Sequence, residues 1–319
     1  MRRSFVLVVV ILILSIVINI YLFSKRNIAG EIIKSEERFQ NDVQTYQFLS
    51  PRIFRETHPD FIFNFLDLRA ALHLKLDPLG DDFGMYFEYL PNGTSININA
   101  GNEFIAASLF KLPVVMAYYR HKERAGEKDR KVKLTKEMLD NRFGDLWMKG
   151  EGYEISLNEA ARMALVKSDS TAAEALGAVI TQQDFDDVYE GLDIDLQIAS
   201  SGAVMTARNY SSILKSLYYS AVLTKEDSEE ILNYLTQSEF NDKLVAGIPS
   251  GVTVAHKIGV IDGASYRDCG IVYVPSRVYI LCMISQGTEQ QARDRMSSVS
   301  KMVYDYVSSA KSLRPTGKY

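Results

Sequence analysis

Ser108 and Lys111 stand three positions apart in the stretch FIAASLFKLP, residues 104–113. On a helix that spacing puts both side chains on one face. A serine hydroxyl attacks a carbonyl poorly until a base takes its proton, and a lysine amine can be that base only when its pKa is drawn down. Pro113 has no backbone N–H and fits the first turn of a helix. Ser108 then falls at the helix start, where unbonded N–H groups can hold a developing oxyanion. The S-x-x-K pattern alone means little, since it recurs at Ser212, Ser298 and Ser308, where a solvated helix face explains it. Ser108 differs in having an apolar lead-in, Phe104 to Ala107, and an apolar helix after it, Leu112 to Tyr119.

Two further groups follow in order. Ser168-Asp169-Ser170 lies between the amphipathic run Ser156 to Val166 and Thr171-Ala172-Ala173, a place where Ser and Asp ordinarily cap a helix. His256-Lys257-Ile258-Gly259 closes an apolar strand, where an isolated lysine would serve as an edge-strand solubiliser. Strand alternation turns His256 to the face opposite Lys257 and takes it out of the chemistry.

Together the three groups resemble the S-x-x-K, S-D-N and K-T-G set of serine β-lactamases and penicillin-binding proteins. In detail they are most similar to class A β-lactamases, through FIAASLFKLP, SLNEAARMALVKSDSTAAEAL and AHKIGVIDGASYRDCGIVYV, over about Phe61 to Ser309. The resemblance implies that Ser108 is the acylated nucleophile and Lys111 its proton acceptor. Ser168 would relay a proton to the leaving nitrogen, and Lys257 would keep the site positive, attract a substrate carboxylate and help keep Lys111 neutral. The backbone N–H groups of Ser108 and Val260 would form the oxyanion hole. Ser170 and Gly259 fall on substrate-binding positions. Arg267 either grips the carboxylate or is a surface arginine on a strand. The implied substrates are a β-lactam or a D-alanyl cell-wall peptide, with no cofactor and no metal.

The sequence also departs from that pattern. Ser170 stands where the family usually has Asn, and Ile258 replaces the Thr of K-T-G. A hydrogen bond lost to a charged group costs ~1.5–3 kcal/mol, one or two decades of affinity. Asp193-Ile194-Asp195-Leu196-Gln197 runs almost directly into Ser200-Ser201-Gly202. The interval is about a dozen residues shorter than that family has, and the loop Glu that activates its deacylating water is not in view. No E-x-x-x-N falls between Glu190 and Gly202; Glu190, Asp193 and Asp195 are the available substitutes. The expectation is acylation at Ser108 with weak or absent β-lactam turnover. The alternatives are a D,D-peptidase-like enzyme and a non-catalytic wall-binding descendant; retention of Ser108, Lys111, Ser168 and Lys257 argues against the last.

The elements that must position these residues are legible from periodicity. Phe61 to Leu76 reads as a helix, Phe83 to Leu90 and Thr94 to Asn99 as strands around a Pro91-Asn92-Gly93 turn. Asn92-Gly93-Thr94 also matches a glycosylation acceptor, but the turn explains it. Helices follow at Leu109–Arg124, Ser156–Val166, Thr171–Ile180, Thr206–Leu223 and Lys225–Leu235. Strands return at Val252–Ile258, Ser265–Val274 and Val278–Ser285, before a last helix at Glu289–Ser309. The fold class is α/β, more narrowly α+β. A mainly antiparallel sheet is built from both ends of the domain, with flanking helices and an inserted all-helical subdomain, as in the β-lactamase-like fold.

The chain has 319 residues, 47% hydrophobic and 24% charged, which suits a globular protein. A formal charge of −4 argues against nucleic-acid binding, and 2 Cys with 4 His leave little for a zinc site. Residues 5–23, FVLVVVILILSIVINIYLF, carry no charge and would span about 28 Å as a helix, close to a bilayer core. The flanks, Arg2-Arg3 and Lys25-Arg26, lack a small-residue cleavage site. The reading is a short cytoplasmic tail at 1–4, a retained transmembrane anchor at 5–23 and a helical stalk at 24–57. A serine hydrolase domain at 58–311 follows outside the cytoplasmic membrane, with a disordered tail at 312–319 and a monomer as default. Cys269 and Cys282 are expected to be two separate buried thiols, because Pro275-Ser276 does not suit the two-residue turn that would set them face to face.

Overall fold

The computed structural model describes Phe48 and residues 64–310, apart from 127, 193, 195, 196, 200, 201 and 262; for 197–199 it describes the backbone alone. The anchor, most of the stalk and the 312–319 tail of the sequence reading lie outside the described residues. No helix among the described residues is long and apolar enough to cross a membrane.

After α1 (Leu66–Leu76) come β1 (Phe83–Tyr89) and β2 (Thr94–Ile98). Near the end of the chain lie β8 (Val254–Ile261), β9 (Ser265–Val272) and β10 (Tyr279–Gln286), followed by α8 (Glu289–Ser309). The five strands form one sheet in the order β2-β1-β10-β9-β8, antiparallel at every pairing. Both ends of the domain thus build the sheet, as the sequence predicts. Every residue of β1 is buried, which is the pattern of a strand covered on both faces.

One face of the sheet packs Met85, Phe87, Leu281 and Met283 against α1 and α8 through Leu68, Leu72, Met296 and Val303. The opposite face is set by register: Tyr86 pairs with Cys282, Cys282 with Cys269, and Cys269 with Lys257, so a row of side chains crosses four strands. Helices α6 (Ala207–Tyr218) and α7 (Lys225–Thr236) pack against the sheet there. Between the two halves of the sheet run α2 (Lys111–Ala125), α3 (Leu157–Val166), α4 (Ser170–Gly177) and α5 (Gln182–Glu190). Small sheets join them: β3 (Phe104–Ile105), β7 (Gly202–Met205) and β6 (Gln197–Ala199) form one, β4 (Lys131–Lys133) and β5 (Glu154–Ser156) another.

The thiol expectation is corrected. Cys269 and Cys282 form a disulfide. The β9–β10 loop is longer than two residues, but it extends equally on both sides of Pro275-Ser276. A symmetric loop leaves the register unchanged, so Val272 still opposes Tyr279 and Cys269 still opposes Cys282.

Candidate active site

The turn that carries Ser108 is held from two sides. Phe104 and Ile105 pair with β7, and the Ala106 N–H donates to the Ala203 carbonyl at 2.8 Å. Ala107 then takes φ +49°, a left-handed backbone uncommon for a residue with a Cβ, and the chain enters a 3-10 turn, Ala107–Phe110, that runs straight into α2. Leu109 and Leu112 are fully buried and fix this corner, while Pro113 sits third in α2, inside its first turn. From the other side β8 presses on the turn at Gly259. A Cβ there would lie 2.9 Å from the Ala106 carbonyl oxygen and 3.4 Å from Leu109 Cγ. Gly259 therefore serves the site by lacking a side chain.

Lys111 is buried, and burial pulls its amine down to about 8, against smaller upward contributions from Asp169, Asp140 and Glu174. Its Nζ donates to the Ser168 carbonyl and, at 3.1 Å, to Ser170 Oγ. A neutral amine has two N–H bonds and one lone pair. Both N–H bonds are therefore engaged, and the lone pair is left for a proton.

Ser168 also has a left-handed backbone, φ +55°, and it is fully buried. Two lysines hold it: Lys111 on its carbonyl and Lys257 on its hydroxyl, the latter at 2.8 Å. Asp169 caps α4 by accepting the Ala172 N–H, and Ser170 begins that helix. Burial pulls the Lys257 amine well below its usual value; the Lys111 charge acts the same way, and Asp268 opposes both.

Ser108, Lys111, Ser170 and Val260 line one cleft of about 820 Å³, joined there by Arg142 and Phe143. Ser168 lies one hydrogen bond behind its wall, and Lys257 one hydrogen bond behind Ser168. Arg267 is not brought to the wall: it is buried, donates to the Ser265 carbonyl at 2.8 Å and stacks 5.5 Å from the Phe104 ring. Burial lowers its guanidinium pKa to about 10. Glu190 lines a different groove, with Gly191, Ser212 and Tyr219, and Asp193 and Asp195 lie outside the described residues. Among the described residues that line the cleft there is no carboxylate. His256 bonds Asp268 at 2.8 Å and faces away from Lys257, as the alternation predicts. Among the described residues no cluster of His, Cys, Asp or Glu could hold a metal ion.

Sequence reasoning does not reach Arg142 and Phe143. They sit in an irregular loop with no periodic signal; what brings them to the cleft is the Ser170 N–H bonding the Phe143 carbonyl at 3.0 Å. The Phe143 ring lies 5.6 Å from Lys111 Nζ.

The family described as the beta-lactamase enzyme family matches residues 68–307, well over half of the chain. Several solved structures share the fold. A variant of PBP-A captured as its acyl-enzyme with penicillin G has a TM-score of 0.70 at 19% identity, over 78% of this chain and 98% of that one. A β-lactamase from Sphaerobacter thermophilus DSM 20745 has 0.70 at 17% identity, over 77% and 98%. A class A β-lactamase from Mycobacterium abscessus has 0.65 at 17% identity, over 75% and 97%. No curated protein matches the chain.

Proposed function

The chain belongs to the beta-lactamase enzyme family, and from that premise we propose that it is a membrane-anchored serine acyl-transfer enzyme. Ser108 is acylated by β-lactams or by D-alanyl ends of cell-wall peptides, and a β-lactam acyl group leaves slowly or not at all. The observation that carries the reading is the Lys111 amine: buried, bonded through its N–H groups to Ser168 and Ser170, and facing the same cleft as Ser108.

In the acylation step the neutral Lys111 amine takes the Ser108 hydroxyl proton. Ser108 Oγ bonds the carbonyl carbon, and the negative charge on the carbonyl oxygen is held by the backbone N–H groups of Ser108 and Val260. As the carbonyl reforms, the carbon–nitrogen bond breaks and the nitrogen leaves with a proton passed from Lys111 through the Ser168 hydroxyl. Lys257, bonded to that hydroxyl, orients it. Hydrolysis of the ester needs a second base for water, and the described cleft wall offers no carboxylate. That favours a D,D-peptidase-like activity over efficient β-lactam destruction.

Residues 5–23 support anchoring, since an uncharged run of that length suits a bilayer. The Cys269–Cys282 disulfide supports an oxidising compartment, hence the outer side of the cytoplasmic membrane, where both substrate classes are met. The test uses the full chain in detergent with a fluorescent penicillin and a chromogenic cephalosporin. Covalent label on the wild type, its loss in Ser108→Ala and no multiple turnover of the cephalosporin are expected. Rapid turnover contradicts slow release, and the absence of label contradicts acylation. D-alanine release from a pentapeptide identifies the wall-peptide activity.

A further inference from the structure

Arg142 lines the cleft, yet the acylation chemistry leaves it without a task. Its loop is tied down at Asp140. The Asp140 N–H donates to Thr171 Oγ1 at 2.9 Å, and the Thr171 hydroxyl donates back to the Asp140 carbonyl at 3.1 Å. Thr171 is fully buried in the first turn of α4, next to Ser170. The Asp140 carboxylate in turn fixes Arg142, accepting its backbone N–H at 2.9 Å, its Nε at 2.8 Å and its Nη2. A guanidinium carries five N–H donors in a planar fork. Asp140 occupies the Nε–Nη2 edge, and among the described residues nothing bonds Nη1. The remaining edge, between Nη1 and Nη2, is shaped to take a second carboxylate end-on. The Arg142 side chain is 74% exposed and that of Asp140 only 16%, so the pair presents its cation rather than its carboxylate.

We propose that Arg142 binds a carboxylate of the substrate and so selects anionic acyl donors for Ser108. The proposal rests on the reading that Ser108 acylates. The other candidate cations are excluded by position or by their own chemistry. Arg267 is 2% exposed and does not line the cleft. Lys257 is buried against the Ser168 hydroxyl. Lys111 does line the cleft, but it has to be neutral when acylation begins. Arg142 keeps its charge throughout, because the bond to Asp140 raises a guanidinium pKa that is already high. With no carboxylate among the described lining residues, an incoming anion meets no repulsion from the wall itself. Two substrate carboxylates are available to Arg142. One lies on the side of the leaving nitrogen, as on the penicillin ring or the D-alanyl end of a peptide; the other lies on the acyl side chain.

The test compares acylation rates of the full-length wild type, Arg142→Gln and Arg142→Lys with three probes, each read by competition with a fluorescent penicillin. Penicillin G carries the ring carboxylate, its methyl ester does not, and carbenicillin adds a second carboxylate on the acyl side chain. Ratios between probes cancel any general slowing that a variant causes. In Arg142→Gln one ratio falls about tenfold, the low end for a hydrogen bond to a charged group, since the guanidinium is largely exposed. A fall in the acid-to-ester ratio assigns the ring carboxylate, and a fall in the carbenicillin-to-penicillin G ratio assigns the acyl side chain. Arg142→Lys recovers only part of the loss, because one ammonium cannot present a fork to Asp140 and to the ligand at once. If neither ratio moves more than about twofold in Arg142→Gln, the proposal is overturned. A wild type that no probe acylates sinks the acylation reading instead. Equilibrium binding of acetyl-D-alanyl-D-alanine and its C-terminal amide, to Ser108→Ala with and without Arg142→Gln, then judges Arg142. Loss of the preference for the acid supports the proposal, and an unchanged preference overturns it.

Discussion

The acylation rate of Ser108 should follow the deprotonation of Lys111, and the structure sets where that happens. An exposed lysine amine titrates near ~10.4, so at pH 7 only about 0.04% of it is neutral. Burial brings Lys111 to about 8, which leaves roughly 9% neutral at pH 7 and roughly 90% at pH 9. The protein thus supplies about 200 times more free base at neutral pH than an exposed lysine would. The rate at saturating penicillin should rise about tenfold from pH 6 to 7, about tenfold again from 7 to 9, and then level. Quenched-flow labelling of the full chain with a fluorescent penicillin, read on a gel at each pH, measures it. A flat profile between pH 6 and 9, or a rate still climbing steeply above pH 10, would refute the assignment of Lys111 as base. Stability has its own sign. The native amine gives up its proton at lower pH than the unfolded one, so Lys111 destabilises the fold below about 8. That penalty fades as pH rises toward ~10.4.

Other outcomes follow from the same geometry. Lys111→Met should abolish labelling yet raise thermal stability by ~1–3 kcal/mol at pH 7, because it removes a buried ammonium; a thermal melt that falls instead contradicts the burial argument. Cys269→Ala with Cys282→Ala should lower stability by about 3 kcal/mol in urea unfolding, the size expected for a short closed loop, and an unchanged midpoint would contradict it. Gly259→Ala places a methyl group against the Ala106 carbonyl and the Leu109 side chain, and should cost ~1–3 kcal/mol while slowing labelling, since the Ser108 turn must shift; unchanged labelling would show that the turn has slack.

Much of the fold is written in local patterns. β1 and β2 flank a Pro-Asn-Gly turn, and α8 opens with Thr288, whose capping box with Gln291 matches the predicted start. α5 escapes the periodicity because Gln182-Gln183-Asp184-Phe185-Asp186-Asp187 has too few apolar residues. Its signal was the capping box of Thr181 with Asp184. β3 is two residues long and exists only because β7 pairs with it. At the site, Ser108, Lys111, Ser168 and Ser170 are legible because the chemistry demands those residue types at short spacings. Arg142 and Phe143 depend on a fold of the 140–146 loop that no spacing encodes. Arg267 fails as a wall residue for a similar reason: its strand position is legible, but its stacking on Phe104 and its bond to the Ser265 carbonyl are not. The disulfide is not legible from loop length, because the symmetry of the loop about Pro275-Ser276 sets the register that pairs Cys269 with Cys282.

The most direct test of the central claim is the intact mass of the full-length protein after exposure to penicillin G, followed over hours, with peptide mapping of the adduct. The account predicts one added penicillin mass on the peptide holding Ser108, persisting long after free drug is removed and missing from Ser108→Ala. An unmodified mass throughout, or an adduct on any other residue, would contradict it.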